Sequence, residues 1–250
     1  MSEPLISIVI PVFNEEKNIK KCLQSIKDQD YDGPKEIIIV DNNSSDNTVE
    51  MVRGEGVKVI SENKAGVIYA RETGAKAAQG QIIIQTDADT VFPTDWLSRI
   101  VKAFADNPSA SAVVGSFKFF DGPWWGKAYT NLRFSFTNLI YKKTGSPDYI
   151  PGANTAFKKS CWHGYDMTLD QGGDEVALLK ALKKEGQVVF LRDNAVFTSA
   201  RRLDRGVLYN IFVILIVYNI FDYNFRKITG RSIVKPFPRI RKQEGDITCN

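Results

Sequence analysis

The chain has 250 residues, 43% of them hydrophobic and 25% charged, the balance of a folded globular protein and not of a disordered one. Three cysteines without C-x-x-C spacing and a single histidine, His163, leave a disulfide framework, a structural zinc site and a Ser-His-Asp triad without material. The net charge is only +4, but the seven Lys and Arg from Arg226 to Lys242 meet no Asp or Glu, which favours an anionic partner, lipid or nucleic acid.

An apolar run from Leu5 to Phe13 lacks a basic segment before it and stops at Asn14-Glu15-Glu16, so it reads as a first strand and not as a signal peptide. Strand-like runs at 6–12, 36–40, 57–60 and 81–85 alternate with helical patterns at 15–29, 45–52 and 64–78. This alternation predicts an α/β fold, a mostly parallel nucleotide-binding sheet with helices on both faces. No G-x-G-x-x-G follows the first strand, which disfavours an NAD-binding site.

A helix is expected after Pro93-Thr94, on the spacing of Leu97, Ile100, Val101 and Phe104, and then a strand over 110–117. Trp125, Tyr129, Leu132, Phe136 and Ile140 share one face of a further helix, an aromatic stripe expected to face the core. Asp174 opens a helical pattern with Val176, Leu179 and Leu182, and an apolar strand follows at 187–191. These elements make one catalytic domain over 1–205, a nucleotide half to about residue 110 and an acceptor half over 111–205. Beyond it, Val207 to Phe221 is apolar between Arg201, Arg202 and Arg205 before and Arg226 and Lys227 after. A full span needs ~20 apolar residues. The run therefore reads as an interfacial helix, with a buried core helix or an oligomer contact as the alternatives.

The chemistry is most legible at Thr86-Asp87-Ala88-Asp89-Thr90, after the apolar Ile82-Ile83-Ile84. There Asp87 and Asp89 sit at the carboxyl end of a strand, where open α/β sheets bind ligands. Two hard oxygen donors suit Mg²⁺ or Mn²⁺ bridging a substrate diphosphate, although Asp and Asn also build ordinary turns and caps. Three further elements flank the pair: Pro11-Val12-Phe13-Asn14-Glu15, Asp41-Asn42-Asn43-Ser44-Ser45-Asp46, and Gly172-Gly173-Asp174-Glu175. In this order and spacing, with Ala70-Arg71-Glu72-Thr73-Gly74 and Pro151-Gly152-Ala153-Asn154, the chain from about Leu5 to Arg202 resembles the family 2 glycosyltransferases of GT-A fold.

The resemblance implies an inverting, metal-dependent hexosyltransferase that moves a sugar from a nucleoside diphosphate sugar to a hydroxyl or phosphate acceptor, lipid-linked if the segment after residue 206 is interfacial. Pro11, Phe13, Glu15, Asp41, Arg71, Asp87 and Ala88 would contact the donor, with Asp41 accepting from a base N–H and Glu15 facing the ribose. Asp87 and Asp89 would hold Mg²⁺ or Mn²⁺, and Asp174 would act as general base, with Glu175 as the alternative. Gly152, Asn154, Arg201 and Arg202 would face the acceptor. The chain departs from the family pattern in having Asp-Asn-Asn-Ser where Asp-Asp-Gly-Ser is usual, and Gly173 where an acid precedes the base. Each of these acids also has an ordinary reading: Ser44 or Ser45 capping a helix beside Asp41, Asp174 capping its own.

His163 reads as a loop histidine, while Trp124, Trp125 and Trp162 fit either a sugar or lipid contact or the core. The expected location is the cytoplasm or the cytoplasmic face of a membrane. A sugar nucleotidyltransferase is the enzymatic rival, but it calls for a Gly-rich basic loop where this chain has Phe13-Asn14-Glu15-Glu16. A non-catalytic lipid- or nucleic-acid-binding module is the other; nucleic acid is not expected, because the basic tail carries only Phe237 as an aromatic.

Overall fold

A computed structural model of the chain describes residues 3–169, 173–201, 203 and 206. The elements run β1 (Ile6–Val12), α1 (Ile19–Lys27), β2 (Lys35–Asp41), α2 (Thr48–Val52), β3 (Lys58–Ser61), α3 (Val67–Ala77) and β4 (Ile82–Gln85). They continue with β5 (Thr90–Val91), α4 (Trp96–Asp106), β6 (Ala110–Phe119), α5 (Trp124–Thr144), β7 (Thr155–Lys158), α6 (Asp174–Glu185) and β8 (Gln187–Thr198).

Strand side chains alternate between two cores because successive residues point to opposite faces. Ile6, Ile8, Ile10 and Val12 of β1, Ile37 and Ile39 of β2, and Ile82 and Ile84 of β4 enter one core, closed by Leu23 and Ile26 of α1 and Trp96 and Ile100 of α4. Val9, Ile38, Val40 and Ile83 enter the other, closed by Ile68 of α3, Phe134 of α5 and Leu178 and Leu182 of α6. Strands covered on both faces have no polar side to show, hence their unbroken apolar runs.

The eight strands form one sheet in the order β3-β2-β1-β4-β7-β6-β8-β5. β1 is parallel to β2 and β4, and β2 to β3, as the β-α alternation predicts. β7 is antiparallel to both β4 and β6, and β8 parallel to β6, so the sheet as a whole is mixed. The chain moves from β1 outward to β2 and β3, then returns to the other side of β1 for β4. At such a reversal the connections leave neighbouring strands in opposite directions and open a crevice at their carboxyl ends.

Three expectations need correction. α1 begins at Ile19, not near residue 15, because Glu15–Asn18 form a turn closed by the Asn18 N–H on the Glu15 carbonyl at 2.9 Å. β8 continues to Thr198, past the polar Arg192-Asp193-Asn194, which are absorbed where its register on β6 shifts between Gly115 and Phe117. The aromatic stripe of α5 faces outward: Tyr129, Leu132 and Phe136 are 38%, 74% and 54% exposed, and the buried face is Gly126, Thr130, Phe134 and Thr137. Small residues on that face let the helix lie close to the sheet, with Phe134 edge-on to Phe117 and stacked on Phe190. The segment at 207–221 and the basic tail lie outside the described residues. Among the described residues, no helix is long and apolar enough to cross a membrane.

Candidate active site at the carboxyl ends of β1 and β4

Two asparagines shape the rim on the β2 side. Asn42, 4% exposed, donates to the carbonyls of Glu62 (2.8 Å) and Lys64 (2.7 Å) and accepts from the Gly66 N–H (2.7 Å), tying the loop after β2 to the turn before α3. Asn14, in the left-handed region at φ 51°, accepts from the Ser45 N–H at 2.6 Å, and its own N–H donates to Ser44 Oγ at 2.9 Å. Ser44 and Ser45 are thus turned to Asn14, and the side chain bonded to the start of α2 is that of Asp46, which accepts from the Thr48 N–H at 3.0 Å. Asp41 ends β2 beside Val12 and accepts from the Ser44 N–H at 3.1 Å. Pro11 and Phe13, both half-buried, complete this strand end.

The acid pair lies between β4 and β5. The two residues of β5 pair with the end of β8, Thr90 opposite Thr198, which fixes Asp89 beside the segment that follows β8. Thr198 Oγ1 donates to Asp89 Oδ1 at 3.2 Å, and Arg201 Nη2 donates to Asp89 Oδ2 at 2.9 Å. The same guanidinium grips Glu15 with both nitrogens, at 3.0 and 2.5 Å. Across the crevice Arg71, only 5% exposed, donates to Asp174 Oδ2 at 2.7 Å and to Asp87 Oδ1 at 3.3 Å. Two short charge chains result, Glu15–Arg201–Asp89 and Asp87–Arg71–Asp174.

Burial works against the charge on both arginines, but the carboxylates they face hold each pKa above the usual guanidinium range. Cys22, buried behind the acids with Sγ 3.8 Å from the Asp87 carbonyl, is pushed far above the usual thiol range by burial and by Asp89 and Asp87. It is a neutral packing residue, not a nucleophile.

Asp174 is the first residue of α6 and 8% exposed, preceded by Gly173 in the left-handed region at φ 83°. Glu175 points to the backbone instead, accepting from the Gly152 N–H at 3.1 Å. A Cβ on Gly152 would lie 2.3 Å from Arg71 Nη2, so the arginine rests on bare backbone there. Asn154, expected to face the acceptor, is 1% exposed. Its side chain accepts from Trp96 Nε1 (2.9 Å) and donates both its N–H groups, to the carbonyls of Ser116 (2.8 Å) and Asn194 (2.7 Å), a buried brace beneath the site. Ala88 is likewise buried, at 4%.

His163 is 67% exposed and meets Glu185 at 3.2 Å, at the end of α6 remote from Asp174. Trp162 packs between Phe157 and Tyr165, Trp124 is 88% exposed, and Arg202 lies outside the described residues. Glu15, Arg71, Asp87, Asp89, Asp174 and Arg201 therefore come together, while Asn154 and His163 do not join them. Tyr165 was not expected: its hydroxyl donates to Gln85 Oε1 at 2.5 Å, and its N–H to Glu72 at 2.9 Å. No motif marks it, and only the fold brings it to the end of β4.

The donor set suits a divalent ion. Four carboxylates, Glu15, Asp87, Asp89 and Asp174, face two arginines, leaving an excess of negative hard oxygen. Among the described residues no group of three or more His, Cys, Asp or Glu converges on one point, so the protein would hold an ion through Asp87 and Asp89 alone. The remaining ligands would be diphosphate and water, the usual pattern for Mg²⁺ and its relatives. Arg71 Nε is also buried without a partner, a donor left over on the wall of the crevice.

An open sheet with acids at its switch point, closed by an antiparallel β7, is the architecture of the GT-A glycosyltransferases. The mannosyltransferase PcManGT from Pyrobaculum calidifontis, solved with GDP-Man and Mn²⁺, superposes with a TM-score of 0.62 over 80% of this chain and 58% of its own, at 23% identity. GalNAc-T7, solved with UDP, GalNAc and Mn²⁺, gives 0.63 over 78% and 44% at 18% identity. The chain belongs to glycosyl transferase family 2, whose sequence profile matches residues 7–164. Glycosyltransferase AglE of Haloferax volcanii is 33% identical over 148 residues, 56% of this chain and 48% of that protein. The dolichyl N-acetyl-alpha-D-glucosaminyl phosphate 3-beta-D-2,3-diacetamido-2,3-dideoxy-beta-D-glucuronosyltransferase of Methanococcus voltae is 36% identical over 150 residues, 54% of this chain and 44% of that protein. The chain spans about half the length of the curated relatives it matches.

Proposed function

We propose that residues 1–205 form the catalytic domain of an inverting glycosyltransferase that moves a hexose from a nucleoside diphosphate sugar to a hydroxyl or phosphate acceptor carried by a lipid. The observation that carries this reading is the convergence of Glu15, Arg71, Asp87, Asp89, Asp174 and Arg201 on one crevice from distant points of the chain. The donor nucleotide lies over the ends of β1 and β2, with Asp41 toward the base, Glu15 toward the ribose and Arg71 toward the diphosphate, while Arg201, expected on the acceptor side, reaches Glu15 and Asp89 from the segment after β8. Asp87 and Asp89 hold Mg²⁺ or Mn²⁺, which when bound offsets the negative charge gathered on the departing diphosphate. The Methanococcus relative's name, with its dolichyl N-acetyl-alpha-D-glucosaminyl phosphate, supports the lipid-linked substrate, and the apolar 207–221 with the basic tail supports a membrane surface, which we assign to the cytoplasmic side.

Asp174 takes the proton of the acceptor hydroxyl as its oxygen bonds to the anomeric carbon and the bond to the diphosphate oxygen breaks on the opposite face. Arg71 fixes that carboxylate by charge and by a short hydrogen bond. General base assistance contributes ~10²–10⁴-fold. Asp174→Asn is thus expected to lower kcat by about that factor while donor KM stays near wild type, whereas Asp89→Ala removes metal-dependent turnover. The measurement is nucleoside diphosphate release from UDP-, GDP- and dTDP-sugars with Mn²⁺, Mg²⁺ or EDTA, with and without polyprenyl phosphate acceptors. Absence of both turnover and metal-dependent donor binding across that panel overturns the reading.

A further inference from the structure

The geometry points to the outward face of α5 as a docking surface for an anionic lipid membrane. Trp124, Tyr129, Leu132, Phe136 and Leu139 of α5 are 88%, 38%, 74%, 54% and 51% exposed, most of the large apolar side chains left in water among the described residues. A surface helix ordinarily carries apolar residues on one face only. α5 instead turns Gly126, Thr130, Phe134 and Thr137 to the second core and most of its large apolar side chains outward, along 21 residues or about 31 Å. An exposed apolar face of this length marks a surface completed by something outside the sheet.

Charge identifies the occupant. Lys127, Lys142 and Lys143 are exposed along the same helix, and no Asp or Glu occurs from Gly122 to Pro147. A second copy docking the same face would oppose like charges. The chain's own 207–221 is apolar, but of its flanking charges Arg201, Arg202, Arg205, Arg226 and Lys227 outnumber Asp204 and Asp222, which sets it against the lysines. An anionic bilayer surface supplies both an apolar interior for the large side chains and phosphates for the lysines.

Continuity supports the same assignment. The chain leaves its described part at Gly206, just after Ala200 and Leu203 have packed against the start of α5. A Cβ on Gly122 would lie 2.3 Å from the Ala200 Cβ, and one on Gly126 3.1 Å from Leu203 Cδ1. Asp121, at the entry to α5, accepts from Ser199 Oγ at 2.8 Å and from the Ala200 N–H. Arg201, which reaches Asp89, therefore lies on the segment that touches the docking helix, and a lipid-borne acceptor would arrive at the crevice from that side. The inference rests on the membrane part of the proposed function and not on its transfer chemistry.

The test uses the full chain with Cys161→Ser, Cys249→Ser and Leu132→Cys, the new thiol carrying an environment-sensitive NBD label while Cys22 stays buried. Vesicles of phosphatidylcholine alone and with phosphatidylglycerol are added. Docking gives a blue shift, brightening and quenching by lipid-borne nitroxide, on the anionic vesicles above all. In the unlabelled chain, Leu132→Ser with Phe136→Ser lowers vesicle partitioning roughly tenfold, the scale of two large side chains partly withdrawn from an apolar phase. Donor hydrolysis without vesicles is unchanged. Flotation of the chain with unaltered NBD emission overturns the inference and leaves membrane binding to another element. Blue emission before vesicles are added also overturns it, assigning the face to the chain's own tail or a second copy. Failure to float at all overturns both this inference and the membrane part of the proposed function, while nucleoside diphosphate release still reports on the transferase.

Discussion

At the scale of single residues, Arg71 is the hub of the crevice. It is nearly inaccessible, and its guanidinium spans the acid that follows β4 and the acid that opens α6. Removing one partner of a buried ion pair leaves the other charge uncompensated, at a cost of about 3–5 kcal/mol. Arg71→Met is expected to lose that much in urea unfolding, and Asp174→Asn on top of it to recover part of the loss. A double variant no better than the single would mean that the pair is not coupled. Arg201 poses a different question, because it ties Asp89, proposed to hold the metal, to Glu15, proposed to face the ribose. Arg201→Gln leaves those carboxylates facing each other, so Mn²⁺ is expected to raise its melting temperature by more than it raises that of wild type. Equal increments would show that the arginine does not offset the acids that bind the ion.

Among the elements, α3 shows why propensity alone misleads. Glycine is a poor helix former, and replacing it by alanine in a helix ordinarily gains up to about 1 kcal/mol. Gly74 lies where α3 crosses β1 and β2, and a Cβ there would stand 2.3 Å from Val9 Cγ1 and 2.9 Å from Val40 Cγ2. Overpacking of that kind costs about 1–3 kcal/mol, so Gly74→Ala is expected to destabilise the fold, and a rise in urea midpoint would contradict the packing. The same contrast between local pattern and tertiary context marks what the sequence could tell. The parallel strands were legible because both their faces are buried and their apolar runs are unbroken. The orientation of α5 was not, since its aromatic stripe reads as a core face while the side that meets the sheet is built largely from Gly126, Thr130 and Thr137, which carry no apolar signal. At the site, Asp87, Asp89 and Asp174 lay in recognisable order along the chain. The interior position of Asn154 and the arrival of Tyr165 at Gln85 depend on strand pairings that no short motif records.

For the whole molecule, ligand binding and stability are linked, because a ligand that binds only the folded state stabilises it by RT ln(1 + [L]/Kd), about 2.7 kcal/mol at a hundredfold excess over Kd. One nucleoside diphosphate with Mn²⁺ is expected to raise the melting temperature and EDTA to reverse the shift, which would identify the base before any acceptor is known. Equal shifts for UDP, GDP and dTDP would mean that Asp41 does not discriminate among bases. The position of β7 carries a consequence for how the molecule is made. β4 pairs with β1 on one side, but its other neighbour, β7, emerges some seventy residues later, and β6 also waits for β7 and β8. During synthesis the Ile-Ile-Ile-Gln strand therefore presents an open hydrogen-bonding edge, the feature that recruits foreign strands and seeds aggregates. Pairings so distant along the chain close slowly, so that edge stays open until β7 can reach it.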